Sequence, residues 1–272
     1  MEEIVVGIDV GTTKVCTLVG RVEDDKSIRI LGVGIETSEG IRKGIIVDLA
    51  AASQAITRSV EKAESTSGLE ITSALVSMAG AHVSSVNSRG AVAVNGNIIE
   101  QYDIAHALEQ ARAVAIPYDR EIIHVIQRGF TVDGQDGIRS PKGMHGYRLE
   151  VEAHIITASG ASSDNLRQCV GAAGVEIQQF VLNPLASAEV VLTDQERQMG
   201  VAVCDIGGGT TDLALYVNGD VWHTMVLAVG GNLVAFGVSE ESQSATDLNA
   251  DGDTFDVVLH VYDSATGVTT SS

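Results

Sequence analysis

The chain writes one short phrase twice. Val6-Gly-Ile-Asp-Val-Gly-Thr-Thr-Lys14 and Val203-Cys-Asp-Ile-Gly-Gly-Gly-Thr-Thr211 each run from an apolar stretch through Asp and glycine to a pair of threonines. Each copy opens a three-stranded meander. Strand-like runs at 4–9, 14–22 and 27–35 are separated by the first glycine turn and by Glu23-Asp-Asp-Lys26, and residues 201–229 repeat the pattern with a turn at Asn218-Gly-Asp220. Repetition of a whole supersecondary unit predicts an internally duplicated fold. Only 4% of residues are aromatic and 29 are glycine, so the core must be Val, Ile, Leu and Ala, which suits sheets with helices packed on them.

Between the two meanders the period changes. Asp48 is placed to cap a helix carrying Leu49, Ala52, Ile56, Val60 and Ala63 at helical spacing, and Gly68 closes it. A strand is expected at 71–79. A second helix, capped by Ser162 or Ser163, buries Leu166, Cys169, Val170 and Ala173 and stops at Gly174. A strand at 175–182 follows, and Asn183 then caps a helix with Pro184 at its first position. Residues 82–156 have their own pattern, with strands at 90–94, 122–127 and 148–156, a helix from Asp103, and a polar loop at 133–146. They read as a compact α+β lobe set into a larger domain.

The hairpins carry the chemistry. A polyphosphate needs backbone N–H donors that can approach closely, which glycine permits, and threonine hydroxyls add donors beside them. An Asp at the end of the preceding strand does not ligate phosphate; it holds a magnesium ion, usually through water. A single hairpin of this kind is equally a plain β-turn. Two copies, each with Asp before and Thr-Thr after, point to a phosphate site gripped from both sides. The candidate phosphate-binding residues are Gly11, Thr12, Thr13, Gly207, Gly208, Gly209, Thr210 and Thr211, with Asp9 and Asp205 for magnesium. Lys14 is either a phosphate counter-ion or a solvated strand residue. It does not make a P-loop, because the preceding glycine and following helix are missing. Asp212 reads as a turn cap rather than a catalytic base.

The motifs resemble phosphate 1 and phosphate 2 of the actin, Hsp70 and sugar-kinase superfamily of ATPases, and Asn183-Pro-Leu-Ala-Ser-Ala-Glu189 resembles that superfamily's connecting helix. Within it, the strings RKGIIVDL (42–49), VSMAGAHVSSVNSRG (76–90), DGIRSPKGMHGYRLEVEAHIIT (136–157), the run 183–216 and HTMVLAVGGN (223–232) are similar to the FtsA family of bacterial cell-division proteins. The resemblance implies an α/β fold: an actin-like (ribonuclease H-like) domain at 1–81 and 157–195, an inserted SHS2-like lobe at 82–156, and the start of a second actin-like domain at 196–232. It also implies ATP and magnesium as ligands, at most weak ATPase activity, and self-association. The implied partners are the tubulin-like division protein FtsZ and other division proteins, at the inner face of the membrane. In the family the lobe contacts the neighbouring subunit, and a C-terminal helix reaches the membrane. A sugar kinase of the same superfamily is the competing reading, but a kinase needs a general-base Asp aimed at a substrate hydroxyl, and no candidate stands outside the hairpins.

Past Asn232 the resemblance ends, so the second domain is expected to be truncated and the base-binding turn and membrane helix missing. Residues 233–272 hold seven acidic residues and no Lys or Arg, and they read as an unrelated tail or a chimeric fusion. Its apolar strands at 233–238 and 257–262 are expected to form a hairpin or to pair with an open sheet edge. Asp247, Asn249, Asp251 and Asp253 have the spacing of a calcium loop, although Val258 stands where a complete loop needs Glu; calcium binding and an acidic hairpin turn both fit.

The remaining features exclude more than they assign. A formal charge of −19 argues against nucleic acid or an anionic membrane as a partner of the bulk surface. Cys16, Cys169 and Cys204 are odd in number and widely spaced, as expected of buried free thiols in a reducing compartment. The acidic start shows no signal peptide, and no apolar run approaches membrane-spanning length, so a cytoplasmic protein is expected. Histidines lack the i, i+4 pairing of a helical metal site, and no nucleophile elbow surrounds any serine. Arg112, Arg120 and Arg128 in the lobe form either a contact face or a solvated one.

Overall fold

The computed structural model describes residues 3–113, 116–227, 233–239, 257–263 and 268–271. Three sheets carry its three apolar cores. The first meander is β1 (Glu3–Val10), β2 (Lys14–Val22) and β3 (Ile28–Thr37), followed by a small hairpin of β4 (Ile41–Arg42) and β5 (Ile45–Ile46). Helix α1 (Leu49–Ser67) leads to β6 (Ser73–Met78), which pairs parallel with β1. After a long excursion the chain returns through α3 (Gly160–Gly171) to β11 (Glu176–Leu182), giving the sheet order β11-β6-β1-β2-β3.

Helix α1 is specified at both ends and along its buried face. The Asp48 carboxylate accepts from the Ala50 and Ala51 N–H groups at 3.0 and 3.1 Å, and Gly68 ends the helix at φ 71°. Ala52, Ala55, Ile56, Ser59, Val60 and Ala63 face inward. The helix lies unusually close to β3: a Cβ on Gly34 would sit 1.9 Å from the Ser59 carbonyl oxygen. The Ser59 hydroxyl uses that proximity, donating to the Gly34 carbonyl at 2.9 Å and bonding the buried Thr17 hydroxyl at 2.8 Å.

The excursion is the lobe: β7 (Ser84–Ala93), α2 (Gln101–Arg112), β8 (Arg120–Val132), β9 (Gln135–Ile138) and β10 (Arg148–Ser159), in sheet order β7-β10-β8-β9. Its core is separate, built on Val92, Ile99, Ala107, Leu149, Val151 and Ile155. Glu100 and Asp103 cap α2 reciprocally, so Asp103 is an N3 residue rather than the start of the helix. The loop expected at 133–146 contains a strand. Asp133 and Gly134 both have positive φ, 48° and 85°, and turn β8 directly into β9.

The third sheet starts from α4 (Asn183–Val191) and α5 (Asp194–Met199), and its meander is β12 (Val201–Ile206), β13 (Thr211–Val217) and β14 (Asp220–Leu227). Beyond it lie β15 (Leu233–Ser239), β16 (Val257–Asp263) and β17 (Val268–Ser271), in the order β14-β13-β12-β15-β16-β17. The two strands expected past residue 232 therefore do both things: β15 pairs antiparallel with β12 on one side and with β16 on the other. The duplication is imperfect here. In the first sheet a helical crossover brings β6 parallel to β1, whereas the five residues 228–232 leave no length for such a crossover, and β15 lies antiparallel to β12.

Two helix starts differ from the sequence expectation. Ser159, not Ser162 or Ser163, stands at the N-cap position of α3, without a side-chain capping bond, because β10 runs straight into the helix; Ser163 is buried in its first turn, donating to the Ser159 carbonyl at 3.2 Å. Asn183 is the first residue of α4 rather than its cap, with Leu182 in the cap position and Pro184 in the first turn.

The lobe is fastened to both halves. Arg120 donates to the Thr157 hydroxyl, the Thr157 carbonyl and the His82 carbonyl, each at 2.9 Å, which pins the base of the lobe. Against the third sheet, the fully buried His154 gives Nδ1–H to Asn87 Oδ1 at 2.6 Å and accepts from the Thr224 hydroxyl on Nε2 at 3.0 Å. Burial first, then His223 and Arg128, pushes its pKa down to about 4.

Two predictions follow from these contacts. Gly34→Ala should lift α1 off β3 and lower stability by roughly 1–3 kcal/mol or more, read as a lower urea midpoint; an unchanged midpoint would mean the helix has slack. His154 binds its proton more weakly folded than unfolded, so its contribution is complete above about pH 6.5 and is lost as pH falls towards 4, at up to about 1.4 kcal/mol per unit. His154→Gln should flatten that part of the stability profile between pH 7 and 4.

Candidate functional site

The two Asp-Gly-Thr-Thr hairpins meet. Each is closed by the same backbone bond, Gly11 N–H to the Lys14 carbonyl at 3.0 Å and Gly207 N–H to the Thr210 carbonyl at 2.8 Å. Their tips touch so closely that only glycine fits. A Cβ on Gly208 would lie 2.0 Å from the Thr13 hydroxyl, and one on Gly209 would lie 2.8 Å from the Thr12 hydroxyl and 3.1 Å from Lys43 Cα. The β4–β5 hairpin supports this meeting point: Lys43 and Gly44 take the positive φ values of a two-residue turn, 52° and 71°, and the Gly44 N–H donates to the Thr12 hydroxyl at 3.3 Å.

Each strand-end aspartate is held by a serine from a neighbouring element. Asp9 accepts from the Ser77 hydroxyl of β6 at 2.7 Å, and that hydroxyl in turn accepts the Val10 N–H at 2.9 Å. Asp205 accepts from the Ser187 hydroxyl of α4. Burial raises the Asp205 pKa, the Ser187 bond pulls it back, and the Asp9 charge raises it again. Asp212 lies deeper, 2% exposed, with Oδ2 accepting from the Thr210 hydroxyl at 3.0 Å and Oδ1 without a partner. Burial, opposed by that bond and reinforced by Asp205 and Asp9, pushes its pKa up to about 7.

Gly11, Thr12, Thr13 and Lys14 thus form one tip, and Gly207, Gly208, Gly209, Thr210 and Thr211 the other, with Asp9 and Asp205 behind them. Thr210 spends its hydroxyl on Asp212, and Lys14 is exposed at the start of β2. Ser77, Ser187 and Lys43 were not singled out from the sequence as site residues; serines carry no spacing signal, and Lys43 announces itself only as half of a Lys-Gly turn. Asp247, Asn249, Asp251 and Asp253 lie outside the described residues. Among the described residues no three His, Cys, Asp or Glu side chains are grouped so as to hold a metal ion directly. The three cysteines are free, with Cys169 buried and the other two half-buried. Arg112, Arg120 and Arg128 do not share a face, since Arg120 is bonded into the base of the lobe and Arg128 lies over Trp222.

A duplicated meander, hairpin tips facing each other with their aspartates, and a helix leading from one half to the other define an actin-like ATPase fold. The chain superposes on a solved PilM-PilN type IV pilus biogenesis complex with a TM-score of 0.57, covering 84% of this chain and 62% of that one at 13% identity, a likeness of fold. Residues 80–157 match the model of the SHS2 domain inserted in FTSA, and residues 148–250 match that of ethanolamine utilisation protein EutA, a match that continues past residue 232. The cell division protein FtsA of Borreliella burgdorferi is 45% identical over 239 residues, and that of Pseudomonas aeruginosa 40% identical over 232. These alignments cover 87% and 85% of this chain, which spans 58% and 56% of the length of those relatives. Over these residues the chain is similar to FtsA, and its lobe is the part that matches the domain inserted in FTSA.

Asp212 generates a prediction. Its proton is held more tightly in the folded state, so the buried charge costs most stability above pH 7 and the cost fades as pH falls towards 4. Asp212→Asn should therefore raise the melting temperature at pH 8, with the gain narrowing by up to about 1.4 kcal/mol per unit at lower pH. A gain independent of pH would mean the carboxyl is not the cause.

Proposed function

We propose that this chain is the nucleotide-holding part of an FtsA-type cell-division protein. In this reading ATP with magnesium lies at the meeting of the two hairpins, and its binding governs self-association at the division site, with hydrolysis slow or absent. The observation that carries the reading is the paired arrangement of glycine tips, which no residue with a Cβ could occupy at Gly208 without displacing Thr13, each preceded by a strand-end aspartate held by a serine. The Gly11 and Gly207 N–H groups close their own turns, so in this reading the remaining backbone N–H groups of the two tips, those of Gly208 and Gly209 among them, bind phosphate oxygens, and the Thr12 and Thr13 hydroxyls orient them. Asp9 and Asp205, fixed by Ser77 and Ser187, accept hydrogen bonds from the waters of the ion, which neutralises phosphate charge. Because the tips touch, the halves must part slightly to admit phosphate, so binding and the angle between halves are linked.

The lobe, with its own core, serves as the contact unit towards neighbouring subunits and division proteins, FtsZ among the partners of the whole assembly. Membrane attachment would reside elsewhere in the full protein, since no helix among the described residues is long and apolar enough to cross a bilayer. The test is a fluorescent-ATP titration of this chain with magnesium. Asp205→Ala and Gly208→Val should each weaken binding at least tenfold while the circular dichroism spectrum is retained; equal affinity in the parent and both variants would overturn the assignment.

A further inference from the structure

The small β4–β5 hairpin is a third element at the meeting of the two tips. Its base is fixed: Ile41 and Ile46 pack on the first core, and the Val47 and Asp48 N–H groups both donate to the Gly40 carbonyl, at 2.8 and 3.1 Å. Its turn, Lys43-Gly44, is clamped from several sides. Gly44 donates to the Thr12 hydroxyl of the first tip at 3.3 Å, and a Cβ on Gly44 would lie 2.6 Å from the Ala79 carbonyl oxygen. Lys43 stands against the second tip, its Cα 3.1 Å from where a Cβ of Gly209 would be. Lysine is an uneasy choice for this turn. A two-residue hairpin turn with both φ values positive favours Asn, Asp or Gly at its first position, and Lys43 takes φ 52° there. Lys26 also has a positive φ, 65°, at the far end of β2 from the tip, so strain alone does not mark a site; the position of the turn sets Lys43 apart.

The Lys43 ammonium is uncommitted. Asp9, Asp205 and Asp212 accept from Ser77, Ser187 and Thr210, and among the described residues the Lys43 side chain has no hydrogen bond or ion pair. It is exposed, and its four-carbon stem spans about 6 Å from Cα, so Nζ can reach an anion seated between the tips. We propose that Lys43 is a phosphate-binding residue, laying its ammonium on a polyphosphate held between the two glycine tips. The proposal rests on the nucleotide reading above and adds to the backbone donors a full positive charge, which strengthens with the charge of the phosphate chain. Lys14 belongs to the first hairpin alone, whereas Lys43 comes from a turn in contact with both. A strained turn kept for its cation sets stability against binding at this one position.

The experiment separates those two effects. Fluorescent ATP with magnesium is titrated into the full chain and into Lys43→Asn, Lys43→Arg and Lys26→Asn, with inorganic tripolyphosphate as competitor and a urea midpoint for each protein. Asn suits the turn, so Lys43→Asn should keep or raise the midpoint and still bind ATP at least fivefold more weakly, with tripolyphosphate competition weakened in step. Lys43→Arg should stay within about twofold of the parent, and Lys26→Asn should leave affinity unchanged. Parent affinity in Lys43→Asn, undiminished competition by tripolyphosphate, or an equal loss in Lys43→Arg would overturn the proposal and leave the nucleotide reading standing. Absence of ATP binding by the parent chain would overturn both.

Discussion

The remaining elements depend on two glycine hairpins brought tip to tip, each preceded by a strand-end aspartate, Asp9 and Asp205. Asp205 is half-buried, and burial first, with the charge of the exposed Asp9 adding to it, raises its pKa. Both aspartates are held by serine hydroxyls that come from elsewhere in the chain, Ser77 from β6 and Ser187 from α4, so the position of each aspartate depends on a complete sheet and a correctly seated helix. The same arrangement explains the glycines. Hairpin tips that must meet without intervening side chains leave no room for a Cβ at Gly208, and the near-contact of Gly209 with Lys43 ties the small β4–β5 hairpin into the junction.

The lobe is joined by a different kind of contact. At its base Arg120 satisfies backbone carbonyls and a hydroxyl, and towards the third sheet His154 spends both ring nitrogens on neutral partners. Neither anchor is an ion pair. Contacts of this type depend on geometry rather than on charge, so salt has little hold on them, while a proton forced onto His154 removes the Nε2 acceptor and obliges the Thr224 hydroxyl to turn from donor to acceptor.

The duplication was legible because Asp, glycine and paired threonine recur in register with a strand period, and the cap at Asp48 and the stop at Gly68 were legible because their side-chain chemistry is local. What escaped had no local signature. The short strand β9 hides in a polar stretch and is betrayed only by Asp133-Gly134, and α5 only by the reciprocal capping of Thr193 and Glu196. At the site, the glycines and aspartates could be named from spacing, but Ser77 and Ser187 acquire their roles only when β6 and α4 arrive beside the hairpins. Past residue 232 the sequence suggested strands and a break; the strands are there, but β15 joins β12 as part of one sheet, since an exposed row of backbone donors and acceptors beside β12 is worth pairing whatever the side chains.

The place of the lobe in the chain bears on how the protein is made. It interrupts the first sheet between β6 and its neighbour β11, so that sheet lacks an edge until Leu182 has been synthesised. The interruption is cheap because β7 and β10 pair along their length, from Ser84 opposite Thr157 to Ala93 opposite Arg148, and so the insert leaves and re-enters the sheet at adjacent points. Once folded, it acts on the surrounding chain as a short tether rather than as a loop of more than seventy residues, and most of the closure entropy of β6 with β11 is then already met. A ribosome delivering the chain from its N-terminus would release four strands of the first sheet, then the lobe, and only afterwards β11, so the lobe can fold before the sheet's last strand exists.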